Sequence, residues 1–256
     1  MGNDNDPVMT RLLISVLSCQ RDKALGHHET IRQRWGQSLV DVSDVRFFVG
    51  GLQPNNLLDD EVWLNVPDDY QSLTLKTKAI CAWMLSRDYD FLFKCDCDTS
   101  IFIPLFKEYN YKIIDYAGRF YGGPPGTPGT AACGPGYFLS RKACQLVLDY
   151  KYPVSASEDQ MVGDCLHPYI ASRSLKAEHL EMSIYAAERG LGKEHSAARA
   201  YLMIKRIENG RIRTEPSPCL ERDALWLIRS GQAMAVKRLS SGPREGNWEG
   251  INLPND

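Results

Sequence analysis

The sequence predicts an α/β fold, a single domain with a mixed, mostly parallel central sheet flanked by helices. Three observations carry this. Apolar runs of strand length alternate with helix-length stretches, no apolar run approaches the length of a membrane span, and 256 residues at 43% hydrophobic content are enough for one sizeable core.

The elements follow in chain order. Residues 10–18 form an apolar strand, containing the six-residue run Leu12 to Leu17. Residues 22–36 read as a helix with Gly36 as its C-cap. Val45 to Val49 is a second strand, stopped by Gly50-Gly51, and Val62 to Val66 a short third one. A helix is expected from about Ser72 to Ser86, and then the strand Tyr89 to Lys94, innermost in the sheet. Beyond it come a helix near 101–109, a strand near Lys112 to Ala117 and an irregular loop, Gly122 to Gly129, too rich in Gly and Pro for regular structure. A glycine turn at Cys133 to Gly136 leads into a short strand, a helix runs through Tyr150, and Ser157-Glu158-Asp159 opens another helix with acids in its first turn, where the macrodipole favours them. The expected domain spans 8–215, and residues 216–256 form a helical and polar extension with one helix at 220–231.

Composition excludes several classes. A formal net charge of −2 argues against a general nucleic-acid binder. The run at Leu12 has no positively charged n-region or cleavage site, so the expectation is a cytoplasmic chain. Eight cysteines, mostly within apolar runs and without an export signal, read as free thiols. Cys95 and Cys97 form a C-x-C pair with no second pair at finger spacing, which makes a structural zinc site a weak reading.

The chemistry centres on Lys94-Cys95-Asp96-Cys97-Asp98. Strand C-terminal ends open onto the ligand crevice of such sheets. Two carboxylates one residue apart, delivered there, suit Mn²⁺ or Mg²⁺, which take oxygen ligands and water. An ion so held can carry a diphosphate. Asp-x-Asp by itself also recurs by chance as two solvated loop acids.

Six stretches in order resemble the β-1,3-galactosyltransferase family, which includes the fringe-type enzymes. Ile31 to Gly36 resembles its I-R-x-T-W-G segment with Arg34 in place of Thr, and Val45 to Gly50 its second strand. Asp68 to Thr77 is similar to D-x-Y-x-N-L-T-L-K-T, Lys94 to Asp98 to K-x-D-x-D, Gly134 to Ser140 to G-x-G-Y-x-x-S, and Glu158 to Gly163 to E-D-V-x-V-G. The similarity covers roughly residues 10–210; the loop 118–133 departs from the family's acceptor-side segment. The resemblance implies a GT-A fold and transfer of a hexose or N-acetylhexosamine from a UDP-sugar donor to a glycan acceptor, with inversion and a β-1,3 linkage. An inactive relative that binds a glycan or nucleotide is the alternative.

On the same resemblance, Asp98 is a direct metal ligand, Asp96 serves both metal and nucleotide sugar, and His195 is a third ligand. Asp159 is the general base for the acceptor hydroxyl, its plain alternative being a helix N-terminal acid serving the dipole. Arg32 and Lys76 stand in matched blocks as phosphate or uracil neighbours, or as solvated helix charges. Tyr137 is placed to line the acceptor site. Trp35 and Trp83 read as core, and His27 and His28 as solvated on a polar helix face.

Charge distribution adds one expectation. From Arg199 to Arg244 there are ten basic residues against four acids. The segment is either ordinary surface or a means of drawing an anionic acceptor, such as a lipid-diphosphate-linked glycan or hydroxymethylated DNA, to the site.

Overall fold

A computed structural model describes residues 10–97, 99–101, 103–152, 157–180, 183–187, 198–204, 207–208, 211–212 and 233–240. Its main sheet has seven strands. In chain order they are β1 (Leu12–Leu17), β2 (Asp44–Val49), β3 (Glu61–Trp63), β4 (Phe91–Asp96), β6 (Tyr116–Tyr121), β7 (Ala131–Ser140) and β8 (Ala177–His179), with the spatial order β3-β2-β1-β4-β7-β6-β8. β4 is the middle strand, as expected. The expectation of a mostly parallel sheet needs correcting to a mixed one. β1 to β4 pair in parallel, but β7, ten residues long, runs antiparallel to both β4 and β6. The short link Gly122 to Thr130 explains this, because only a hairpin-like return fits between β6 and β7.

Alternation along the strands sorts their side chains onto two faces. Leu13, Leu92, Tyr137 and Leu139 pack with Ile80, Cys81, Met84, Cys144, Val147 and Val162 from helices α3 (Leu73–Leu85), α5 (Arg141–Asp149) and α6 (Glu158–Ala171). Ile14, Val16, Phe93, Cys95 and Phe138 face the other way, against Ile31, Trp35, Leu39 and Phe106. β1 is buried along its whole length, which is why it reads as an unbroken apolar run.

The helix expected at 22–36 is broken. It is α1 (Gln20–Ala24), a left-handed Gly26 at φ 79°, α2 (His27–Ile31) and a wide turn over Arg32–Gly36. Gly36 itself has φ −59° and is no left-handed cap. Helix α4 (Ile103–Glu108) follows β5 (Thr99–Ile101). β5 belongs to a second, four-stranded antiparallel sheet with β9 (Ser183–Ala187), β10 (Ala198–Ile204) and β13 (Ala233–Ser240), in the order β5-β13-β10-β9. Two short strands, β11 (Ile207–Glu208) and β12 (Arg211–Ile212), form a separate hairpin. Residues 220–231, expected to be helical, lie outside the described residues. Among the described residues no cysteine is disulfide-bonded, and no helix is long and apolar enough to cross a membrane.

Candidate functional site

Because β7 runs against both neighbours, its N-terminal half lies at the edge of the sheet where β4 and β6 end. That edge is built around a bulge. Gly118 pairs with Tyr137 while Arg119 pairs with Cys133, so Gly134-Pro135-Gly136 step out of the ladder. The glycine turn expected there is therefore a bulge inside a longer strand. Gly136, at φ 145°, lets the chain lie against the backbone of Lys94, where an added Cβ would also come within 2.7 Å of Phe93.

Lys94 and Asp96 point to the same face of β4, toward the start of α6. The Lys94 ammonium is buried, 3.1 Å from Glu158 Oε2 and 3.6 Å from an Asp96 oxygen. Glu158 Oε1 accepts from Thr77 Oγ1 at 3.0 Å and from the Tyr137 hydroxyl. Burial works against the Lys94 charge, but the carboxylates of Glu158, Asp96 and Asp159 outweigh it, so the lysine stays protonated with a raised pKa. Glu158 is thus more than an acid serving the helix dipole. It is the buried counter-ion that joins β4, β7, α3 and α6.

Asp159, next along α6, is half-buried. Burial first and the Glu158 carboxylate second push its pKa well above the usual carboxylate range, with Lys94 opposing. A carboxylate with a raised pKa is a stronger base than an ordinary aspartate. Gly163 explains how α6 brings it there. A Cβ at Gly163 would strike Thr130 O and approach Ala131 Cβ to 2.8 Å, so the glycine lets the helix press onto the start of β7.

The other expected site residues fall into three groups. Asp98 and His195 lie outside the described residues. Lys76 is buried, neither solvated nor open to a ligand. Its Nζ donates to Ser18 O at 2.9 Å and to Asp68 Oδ1, and Asp68 also accepts from the backbone of Gln20 at 2.7 Å and Gly50 at 3.0 Å. This lysine shapes the loops after β1 and β2. Arg32 grips Asp60 with two hydrogen bonds of 2.7 and 2.8 Å, reaches Glu61 at 3.0 Å and lies over the Phe47 ring. Its guanidinium is committed to protein partners. Tyr137, expected to line an acceptor site, is 1% exposed and serves Glu158 instead.

His28 corrects the expectation of a solvated residue. It is 2% exposed, stacked on Phe47, with Nδ1 2.8 Å from Glu61 Oε1 and Nε2 2.7 Å from Ser18 Oγ. Glu61 only accepts, so Nδ1 carries the proton and Nε2 accepts from the serine. The order Ser-His-Glu is that of an acyl-transfer triad. Ser18 is buried, however, and Lys23 and Arg32 also hold Glu61, so the three residues act as a bolt between α2 and β3. Trp35 is core, as expected, and its Nε1 donates to Thr99 O at 3.0 Å, fixing the chain just past Asp98.

Sequence reasoning missed Lys94 and the role of Glu158. The Lys in K-x-D-x-D sits inside an apolar run, where a charge has to find a partner on burial, and that was the available signal.

Comparison with known protein families and with characterised proteins finds no match to this chain. The fold and the site define a class, an α/β protein with a mixed sheet and a carboxylate-lined edge at the end of its central strand.

Proposed function

We propose that the protein is a metal-dependent, inverting glycosyltransferase of the GT-A type, moving a hexose or N-acetylhexosamine from a UDP-sugar to a glycan hydroxyl, with a β-1,3 linkage as the expected product. The observation that carries this is the shared counter-ion: buried Lys94 holds Asp96 at the end of β4 and Glu158 at the start of α6, and so sets the half-buried Asp159 beside the same edge.

The donor set fits a hard divalent ion. Asp96 supplies a partly exposed carboxylate, Asp98 a second one two residues on, and His195 stands as the third ligand by resemblance. When bound, Mn²⁺ or Mg²⁺ supplies Lewis-acid neutralisation of the departing diphosphate. Asp159 takes the proton of the acceptor hydroxyl as its oxygen attacks the anomeric carbon. Burial and the neighbouring Glu158 carboxylate keep its base strength up, and Lys94, which holds Glu158, works against them.

The test is a panel of UDP-sugars assayed for UDP release, with and without Mn²⁺, on the native chain and on Asp159→Asn. Native turnover that needs the metal and falls ~10²-fold or more in the variant, at unchanged donor affinity, is the expected result. The native profile should also lose activity on its acid side above the usual carboxylate range, because the base works only deprotonated and its pKa is raised. Full activity of the variant, or loss of donor binding with normal turnover, would overturn the assignment of the base.

A further inference from the structure

Three side chains of different chemistry meet just outside the proposed donor edge. Cys97 Sγ is 3.0 Å from Asp22 Oδ2 and 3.7 Å from His27 Nδ1, and His27 Nδ1 is 3.8 Å from Asp22 Oδ1. Among the described residues this is the group of His, Cys and acid side chains that brings three ligand atoms within 4.8 Å of one another. The local backbone accounts for it. Asp22 closes its side of α1, Gly26 at φ 79° reverses the chain, and His27 opens α2, so residues five apart come side by side. Cys97 reaches them from the turn after β4, held there by its N–H on Leu17 O at 3.2 Å.

The geometry points to a zinc site at Asp22, His27 and Cys97. A tetrahedral zinc with ordinary Zn–S, Zn–N and Zn–O bonds sets its ligand atoms about 3.4–3.6 Å apart. Cys97 and His27 meet different oxygens of Asp22; with one oxygen as ligand the three atoms lie within 4.8 Å of one another, and rotation of the partly exposed Asp22 and His27 side chains brings them to that edge length. The side chains of His27 and Asp22 are 40% and 28% exposed, so water can reach the fourth position. A thiolate, an imidazole and one carboxylate select zinc over Mn²⁺ and Mg²⁺, which prefer oxygen. Zinc here would pin α1 and α2 to the turn that follows β4 at Cys97.

The test is titration of the intact chain with Zn²⁺ against a chromophoric chelator, and with Co²⁺ read by its thiolate charge-transfer band. The native protein should bind one zinc tightly enough to compete at micromolar metal, and a hundredfold excess of Mn²⁺ should leave the zinc in place. Cys97→Ser should abolish the cobalt–thiolate band, and Cys97→Ser and His27→Gln should each lower zinc affinity at least tenfold. Cys165→Ser, which removes a thiol packed in the core on the other face of the sheet, should change neither. Circular dichroism of each variant checks that it is folded, and His27→Gln alters a half-exposed residue should the cysteine variant fail to fold. Wild-type affinity in folded Cys97→Ser or His27→Gln, or no binding by the native chain, would overturn the site. Because the readout is metal binding and not sugar transfer, either result leaves the glycosyltransferase reading untouched.

Discussion

Two adjacent acids, Glu158 and Asp159, differ in role because of what reaches them. Glu158 is consumed by Lys94, Tyr137 and Thr77, whereas Asp159 is set by burial and by the Glu158 carboxylate, with Lys94 opposing. The resemblance singled out Asp159 as the base but left Glu158 without a role, since its partners Lys94 and Thr77 lie 64 and 81 positions away. The same blindness to distant partners hid Glu61, which was not singled out at all. Its side chain is 1% exposed, and burial alone would raise its pKa. Hydrogen bonds from Lys23, His28, Leu58 N–H and Arg32 outweigh burial and lower it to about 2. A carboxylate held below its unfolded value stabilises the fold above about pH 4.5, and that stability is lost as pH falls toward 2. His28 has the same sign, because burial lowers its pKa and the unfolded chain takes up the proton first as pH falls below about 6.5. Urea unfolding at a series of pH values should therefore show His28 and Glu61 withdrawing stability below pH 6.5, Glu61 by about 3 kcal/mol, against an opposite contribution from Asp159, whose raised pKa favours the fold as pH falls. Glu61→Gln should be less stable at pH 7 and show a flatter pH dependence below 5. A parallel decline in both proteins would count against Glu61 as the titrating group.

At the scale of elements, periodicity and glycine placement carried most of the information. β1, β2, β4 and α3 fall within a few residues of where their apolar runs and flanking turn residues put them. The broken helix at 20–36 and the long β7 did not. Both depend on single glycines whose meaning is set by contacts, Gly26 by its φ and Gly136 by the backbone of Lys94. Gly163 makes the same point in a helix, where a glycine ordinarily costs stability of about 1 kcal/mol relative to alanine. Gly163→Ala should gain that propensity and still lose overall, because its methyl group drives α6 away from Thr130 and Ala131. Overpacking of this kind costs about 1–3 kcal/mol. We expect a lower melting temperature and, since Asp159 rides on the same helix, turnover reduced more than donor affinity. An alanine variant at least as stable as the native chain would mean that the helix can shift without penalty.

For the whole molecule, the central sheet was legible because its strands announce themselves locally, whereas the second sheet was not. β5 is three residues long and β13 lies more than 130 residues later, in a segment expected to be an extension; no local pattern ties the two. Yet Ala235, Val236 and Lys237 pair with Ile101, Ser100 and Thr99, shortly after β4 ends, and β10 lies on the other side of β13. Removing residues 216–256 would therefore take away an inner strand and leave β5 and β10 with unpaired edges, the exposed templates that promote aggregation. The truncated chain should be less soluble and melt at a lower temperature. Salt provides the complementary measurement on the full chain, because Lys237 and Arg238 stand in register with Tyr201 and Ala200 within the basic stretch. If that stretch draws an anionic acceptor, raising salt from about 50 to 200 mM should increase the acceptor Michaelis constant strongly while metal-dependent UDP-sugar hydrolysis stays nearly constant. A flat response in the full chain, together with a truncated chain that aggregates, would assign the segment to the fold alone. A steep response with point substitutions Lys237→Gln and Arg238→Gln that blunt it at unchanged melting temperature would assign it to acceptor capture.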